Sequence, residues 1–145
     1  MDRREMLGGV SGSLAGLVVL GTGAALADEK GHPHGEHLQT LSECARVCNQ
    51  AAHHCLSQLK SGSGHSEQHA KAHEATMDCQ AFCTMTAALA ARHSPMARYA
   101  HAACADACRD CALACEGHQD DIMKECIMAC HACEKSCRTM TGAAH

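Results

Sequence analysis

Beyond residue 37 the chain contains no long apolar run. Small apolar side chains and cysteines return every three or four positions between polar and charged ones. That interval is the helical period and gathers the recurring positions on one face of a helix. Four such segments are separated by helix breakers. The first opens with Thr40 and Glu43 at capping-box spacing and runs unbroken to "SGSG" at 61–64, which predicts a helix over 38–60. The second begins at Ser66 and continues without Gly or Pro to Ser94 and Pro95, predicting a helix over 66–92. Ser94 and Pro95 have the character of an N-cap and a first helical residue, so a third helix is expected over 95–116, stopping near Gly117. The fourth is expected over 120–140, with Gly142 beyond its end. Abundant alanine favours all four. Their connections are short, so consecutive helices should be antiparallel neighbours. The expected fold is all-α, an up-down-up-down four-helix bundle over residues 38–141.

Two segments precede the bundle. Residues 28–37, "DEKGHPHGEH", read as a flexible, His-rich tail. Residues 1–27 carry Arg3 and Arg4 followed by Met6 and Leu7, an apolar stretch near 14–20, and the small-residue pattern Ala25, Leu26, Ala27. This pattern resembles the twin-arginine export signal of bacteria, removed after Ala27, and implies a periplasmic or other extracytoplasmic location. A short membrane anchor is the rival reading, but the apolar stretch falls short of the roughly 20 residues a span requires. No membrane attachment is expected once the signal is gone.

The chain of 145 residues suggests one domain. Its 46% hydrophobic content overstates the core, because much of it is Ala and Cys, and Phe82 and Tyr99 are the only aromatic residues. A domain with so little large apolar surface normally needs a crosslink or a metal to offset chain entropy. The net charge of -4 argues against nucleic acid as a partner.

Thirteen cysteines sit on the predicted helices. Cys104, Cys108, Cys111 and Cys115 on the third, and Cys126, Cys130, Cys133 and Cys137 on the fourth, repeat the pattern CxxxCxxCxxxC. At about 100° per residue each set falls within an arc of about 60° and forms a stripe about 16 Å long. Cys44, Cys48 and Cys55 on the first helix, with Ala51 filling a gap, and Cys79 and Cys83 on the second follow the same grid. One register repeated four times directs every thiol toward the bundle axis. Disulfides within a helix are excluded, since Cβ atoms four residues apart lie about 6 Å from each other, whereas a disulfide needs about 3.8 Å. Disulfides between helices remain open, as in a stapled helical interaction module.

A thiol-lined tube suits soft metals such as Cu(I), zinc or an iron-sulfur cluster. Fully ionised, the thiolates carry thirteen negative charges. Three tetrahedral zinc sites would leave about seven of these uncompensated in a low-dielectric interior. About one Cu(I) per thiolate brings the core near neutrality, and a continuous stripe is unlike the compact ligand set of an iron-sulfur cluster. Multiple Cu(I) ions are therefore the expected cargo, with a zinc-thiolate protein or a low-capacity copper chaperone as rivals. No arrangement of nucleophile, base and orienting group suggests an enzyme.

The two CxxxCxxCxxxC stripes, the CxxxC pair of the second helix and the three cysteines of the first ending in "HHC" resemble the copper storage proteins over about residues 40–140. The resemblance is to the exported branch of that family. It implies a homo-tetramer of cysteine-lined four-helix bundles that bind many Cu(I) ions along their axes, with a copper-dependent enzyme as one conceivable recipient. Relatives are expected to use position 51 on the first helix; here Cys48 is filled and Ala51 is not.

The resemblance also implies a His and Met mouth at one end of the bundle, and His54, His118 and Met123 occupy that end here. Imidazole and thioether are weaker, exchangeable ligands for Cu(I). At the opposite end His37, His93, His101 and Met140 fall near the extended stripes. A solvated histidine or a packed methionine is the competing reading at each of these positions. His53 and His131 should face outward. His32 and His34 in the tail, with His65, His69 and His73 at the start of the second helix, are read as a surface that captures copper ions.

Overall fold

The structure is a computed structural model that describes residues 33–142; the expected export signal lies outside the described residues. Four helices follow in order: α1 (Pro33–Ser61), α2 (Ser66–Ala91), α3 (Ala97–Cys115) and α4 (Asp121–Gly142). Backbones approach closely between α1 and α2, α2 and α3, α3 and α4, and α4 and α1, whereas diagonal helices meet through side chains at the axis, as where Cys79 of α2 and Cys130 of α4 lie 3.9 Å apart. The four therefore stand as the edges of a square prism, and each turns one stripe toward the common axis. No helix among the described residues is long and apolar enough to cross a membrane.

The buried positions of α2 show how the sequence sets this face. They are His69, Ala72, Thr76, Cys79, Cys83, Thr86 and Ala90, a strict alternation of three- and four-residue steps. Thr76 and Thr86 occupy grid positions that the other helices fill with sulfur. Thr76 Oγ1 donates to Ala72 O and His73 O, and Thr86 Oγ1 donates to Ala100 O of α3, so burial leaves neither hydroxyl unpaired. Apart from the thirteen cysteines, the largest fully buried side chains are Leu41, Met123 and Val47. Phe82 packs against this core only partly buried, and Tyr99 is exposed.

Helix boundaries differ from expectation in three places. α1 begins at Pro33, so the last five residues of the expected tail are helical. Proline is well suited to a first turn, and Glu36 there complements the helix dipole. Thr40 and Glu43 consequently lie inside the helix and form no capping box. Thr40 Oγ1 donates to Glu36 O, and Glu43 pairs with Arg46, which also reaches Glu125 on α4. The third helix starts at Ala97 rather than Pro95. Ser94 Oγ accepts from the Met96 N–H and Ser94 O from the Ala97 N–H, forming a turn ahead of the helix. Gly142 is the last residue of α4 rather than the residue beyond it.

Two helix ends share one geometry with different residues. At the end of α1, Gly62 has a φ of 68° and the Ser63 N–H closes back on Gln58 O. At the end of α2, His93 has a φ of 52° and the Ser94 N–H closes on Leu89 O. Glycine is the usual occupant of this left-handed position, so a histidine there bears a steric cost.

Candidate metal centre

All thirteen thiols are free and no more than 1% exposed. Sulfurs of neighbouring helices approach closely: Cys79 to Cys108 and Cys83 to Cys104 are each 3.6 Å, and Cys48 to Cys130 is 3.7 Å. Within helices, Cys44 to Cys48 and Cys79 to Cys83 are each 4.0 Å. These separations are far beyond the roughly 2.05 Å of a disulfide bond. Cys48 points into the lining and meets Cys126 at 3.8 Å, while Ala51 is buried beside it without supplying a ligand.

The sulfurs form overlapping groups. Cys44, Cys83, Cys108 and Cys133 make one quartet, Cys44, Cys48, Cys79 and Cys130 a second, and Cys48, Cys111, Cys126 and Cys130 a third. Cys104, Cys133 and Cys137 form a trio. Within each group the sulfurs lie within 4.8 Å of one another. Tetrahedral bonds of about 2.3 Å to zinc would separate sulfurs by about 3.8 Å, so spacing alone fits zinc as well as Cu(I). Sharing separates the two metals. Because Cys44, Cys48, Cys130 and Cys133 each belong to two groups, at most two groups can hold ions that share no sulfur. Ions that tolerate bridging thiolates can use the whole lining, and Cu(I) is the soft monovalent ion that does so without accumulating charge.

Burial first, and then charge on Cys126, push the Cys55 thiol up to about 11. Hydrogen bonds between thiols push Cys48, Cys83, Cys108 and Cys130 up as well, with burial adding to the effect. The same bonds, accepted by a thiolate, hold Cys44, Cys79, Cys104 and Cys126 down. Ionisation at one sulfur therefore depends on protons retained by its neighbours. A metal ion entering the lining replaces those protons.

The end of the tube that contains both the α1–α2 and α3–α4 connections, the two-loop end, gathers His54, His69, His118 and Met123. Met123 is fully buried, with its Sδ 3.8 Å from Cys55 Sγ. The rings of His69 and His118 are 4.8 Å apart, and His54 lies 6.2 Å from His69. His54 Nε2 is 3.4 Å from Asp120 Oδ2, without hydrogen-bond geometry. His69 was expected on the capturing surface, yet it is only 7% exposed and completes this cluster. The signal was present in the three-four grid, which continues backward from Cys79 through Thr76 and Ala72 to His69. His73 also turns inward: its Nδ1 lies 2.9 Å from Ala52 O on α1. His53 and His131 are exposed, as expected.

At the opposite, terminal end burial pulls the His37 imidazole down to about 4, and nearby His101 contributes in the same direction. Folding thus favours neutral His37, whereas the unfolded chain takes up a proton below about pH 6.5. Its stabilising contribution is complete above that value and is lost as pH falls toward 4. The metal-free protein should lose about 2 kcal/mol between pH 7 and pH 5 from this group. Urea midpoints at the two pH values check this, with His37→Leu as the variant that removes the dependence.

The family described as copper storage protein (Csp) matches residues 30–142, the whole bundle and well over half of the chain. The chain belongs to the copper storage protein family. Among curated proteins, none matches the sequence. Solved structures of copper storage proteins share the fold. Ccsp from Streptomyces lividans, loaded with 10 copper equivalents, is 27% identical, with a TM-score of 0.68 over 82% of this chain and 93% of that one. Cu(I)-bound BsCsp3 is 23% identical, with a TM-score of 0.68 over 76% of this chain and 99% of that one, a likeness of fold. The Nmul_A1745 protein of Nitrosospira multiformis is 28% identical, with a TM-score of 0.50 over 72% and 97% of the two chains.

Proposed function

We propose that this copper storage protein holds many Cu(I) ions along its axis, bound by Cys44, Cys48, Cys55, Cys79, Cys83, Cys104, Cys108, Cys111, Cys115, Cys126, Cys130, Cys133 and Cys137. The observation that carries this reading is the overlap of the sulfur quartets in one fully buried lining. A disulfide-stapled module has no support in a core where every cysteine is free. His54, His118 and Met123, joined by His69, would admit the ion at the two-loop end and pass it to Cys55. Transfer from the imidazole and thioether mouth to Cys55 displaces that thiol's proton, each later exchange returns a proton to the sulfur that the ion leaves, and copper stays monovalent throughout. The protein acts as a store or sink rather than as an enzyme.

Anaerobic Cu(I) titration against a competing chelator tests this directly. Saturation is expected at about one ion per thiolate. Saturation at one or two ions would reduce the protein to a chaperone, and tight uptake of two zinc ions with exclusion of Cu(I) would make it a zinc-thiolate protein. Homo-tetramerisation, twin-arginine export to the periplasm and delivery to a copper enzyme belong to the same proposal. Export of an already folded chain would protect the thiols in an oxidising compartment.

A further inference from the structure

Five buried side-chain nitrogen or oxygen atoms lack a hydrogen-bond partner among the described residues, and all five are imidazole nitrogens. They divide between the two ends of the tube. Those of His54, His69 and His118 belong to the two-loop end. The other two, Nε2 of His37 and Nε2 of His101, belong to the terminal end, where the storage reading assigns no role.

These two side chains are 2% and 5% exposed, with ring centroids 4.8 Å apart. His37 Nδ1 lies 2.7 Å from Ser136 Oγ, a contact that fixes the ring and leaves Nε2 over, as is usual for a ligating histidine. A buried polar atom left without a partner keeps its full desolvation cost, so an apolar pair would serve packing better here. His101 stands one turn before Cys104, which belongs to the trio with Cys133 and Cys137. Outward from this pair, His34 stacks on His93 at 4.8 Å between centroids, the same His93 held at positive φ. Both line an open groove with Met140, and a second groove along Ser136 and Met140 reaches His37 itself. From solvent inward the order is therefore the exposed His93, the half-buried His34 and Met140, the buried imidazoles, then thiol.

We propose that the terminal end is a second Cu(I) port, in which His37 and His101 bind the ion through Nε2 and hand it to the trio of Cys104, Cys133 and Cys137. The proposal rests on the storage reading and makes the tube accessible from both ends. In the transfer a Cu–N bond breaks and a Cu–S bond forms. The thiol proton leaves to water, the imidazole returns to its neutral form and no electron moves.

Stopped-flow loading from a chromophoric Cu(I)–chelator complex under anaerobic conditions tests it, with rates normalised to each protein's final capacity. H37L/H101L should load at about half the parental rate, and H54L/H118L likewise. The quadruple variant should be slower by at least about ten-fold. Leucine fills comparable space, and circular dichroism with thiol counting after unfolding verifies each fold. As an independent readout, Ag(I), a redox-silent probe, should shift the ring 15N resonances of His37 and His101 in the parent. Parental loading by H37L/H101L, or ring resonances of His37 and His101 unmoved by Ag(I), would overturn the second port. Failure of the storage reading would show separately, as saturation of the parent at one or two ions.

Discussion

Loaded anaerobically with Cu(I), the bundle should melt at least about 15 °C above its metal-free form, since one site held at about a thousand times its Kd adds about 4 kcal/mol. The metal-free interior offers little to compete with that. Its three largest fully buried side chains are Leu41, Met123 and Val47, and much of the remaining core is sulfur and alanine. Domains in general are stable by only about 5–15 kcal/mol, so one preorganised site already matters. The unfolded chain also offers thiols, which removes part of the gain. What survives is the advantage of sulfurs already placed 3.6–4.0 Å apart in the folded bundle. Thermal melts followed by circular dichroism, with and without copper, measure it. A shift of a few degrees would mean that the folded lining is no better organised than the unfolded chain.

The second large effect separates shared from terminal sulfurs. Cys130 belongs to two quartets, with its Sγ 3.7 Å from Cys48 and 3.9 Å from Cys79. Cys55 belongs to none of the sulfur groups and meets Met123 at 3.8 Å. Cys130→Ala should therefore lower Cu(I) capacity by about two ions, and Cys55→Ala by about one. Alanine is preferred to serine because a buried hydroxyl would bring an unpaired polar atom. Each substitution removes one fully buried sulfur and should cost the metal-free fold about 1 kcal/mol. Copper titration of both variants decides the matter. A loss of a single ion in each would mean that the sulfurs act as separate sites.

The cysteine lining was legible because burial and helical period impose the same constraint on every turn. A side chain that must face the axis recurs at steps of three and four, and thirteen cysteines obey that rule. Helix starts were harder to read, because capping signals are local and ambiguous. Thr40 and Glu43 have capping-box spacing, yet each finds a partner within α1: Thr40 bonds back to Glu36 O and Glu43 pairs with Arg46. Nothing in that pair of residues reveals that Pro33 already starts the helix. His69 is hidden in the sequence for a different reason. Histidine at the start of a polar segment looks solvated until the grid is carried past the last cysteine, through Thr76 and Ala72. The same extension brings His37 and His101 inside, which single-residue polarity would place at the surface.

Quartets that borrow sulfurs from one another cannot all be satisfied on equal terms. Early ions take the richest coordination, and each later ion inherits a thinner share. Affinity then declines along a gradient as the tube fills. Such a protein sets no single threshold of free copper. It damps swings in the metal's chemical potential, releasing ions readily when nearly full and holding the last few hardest.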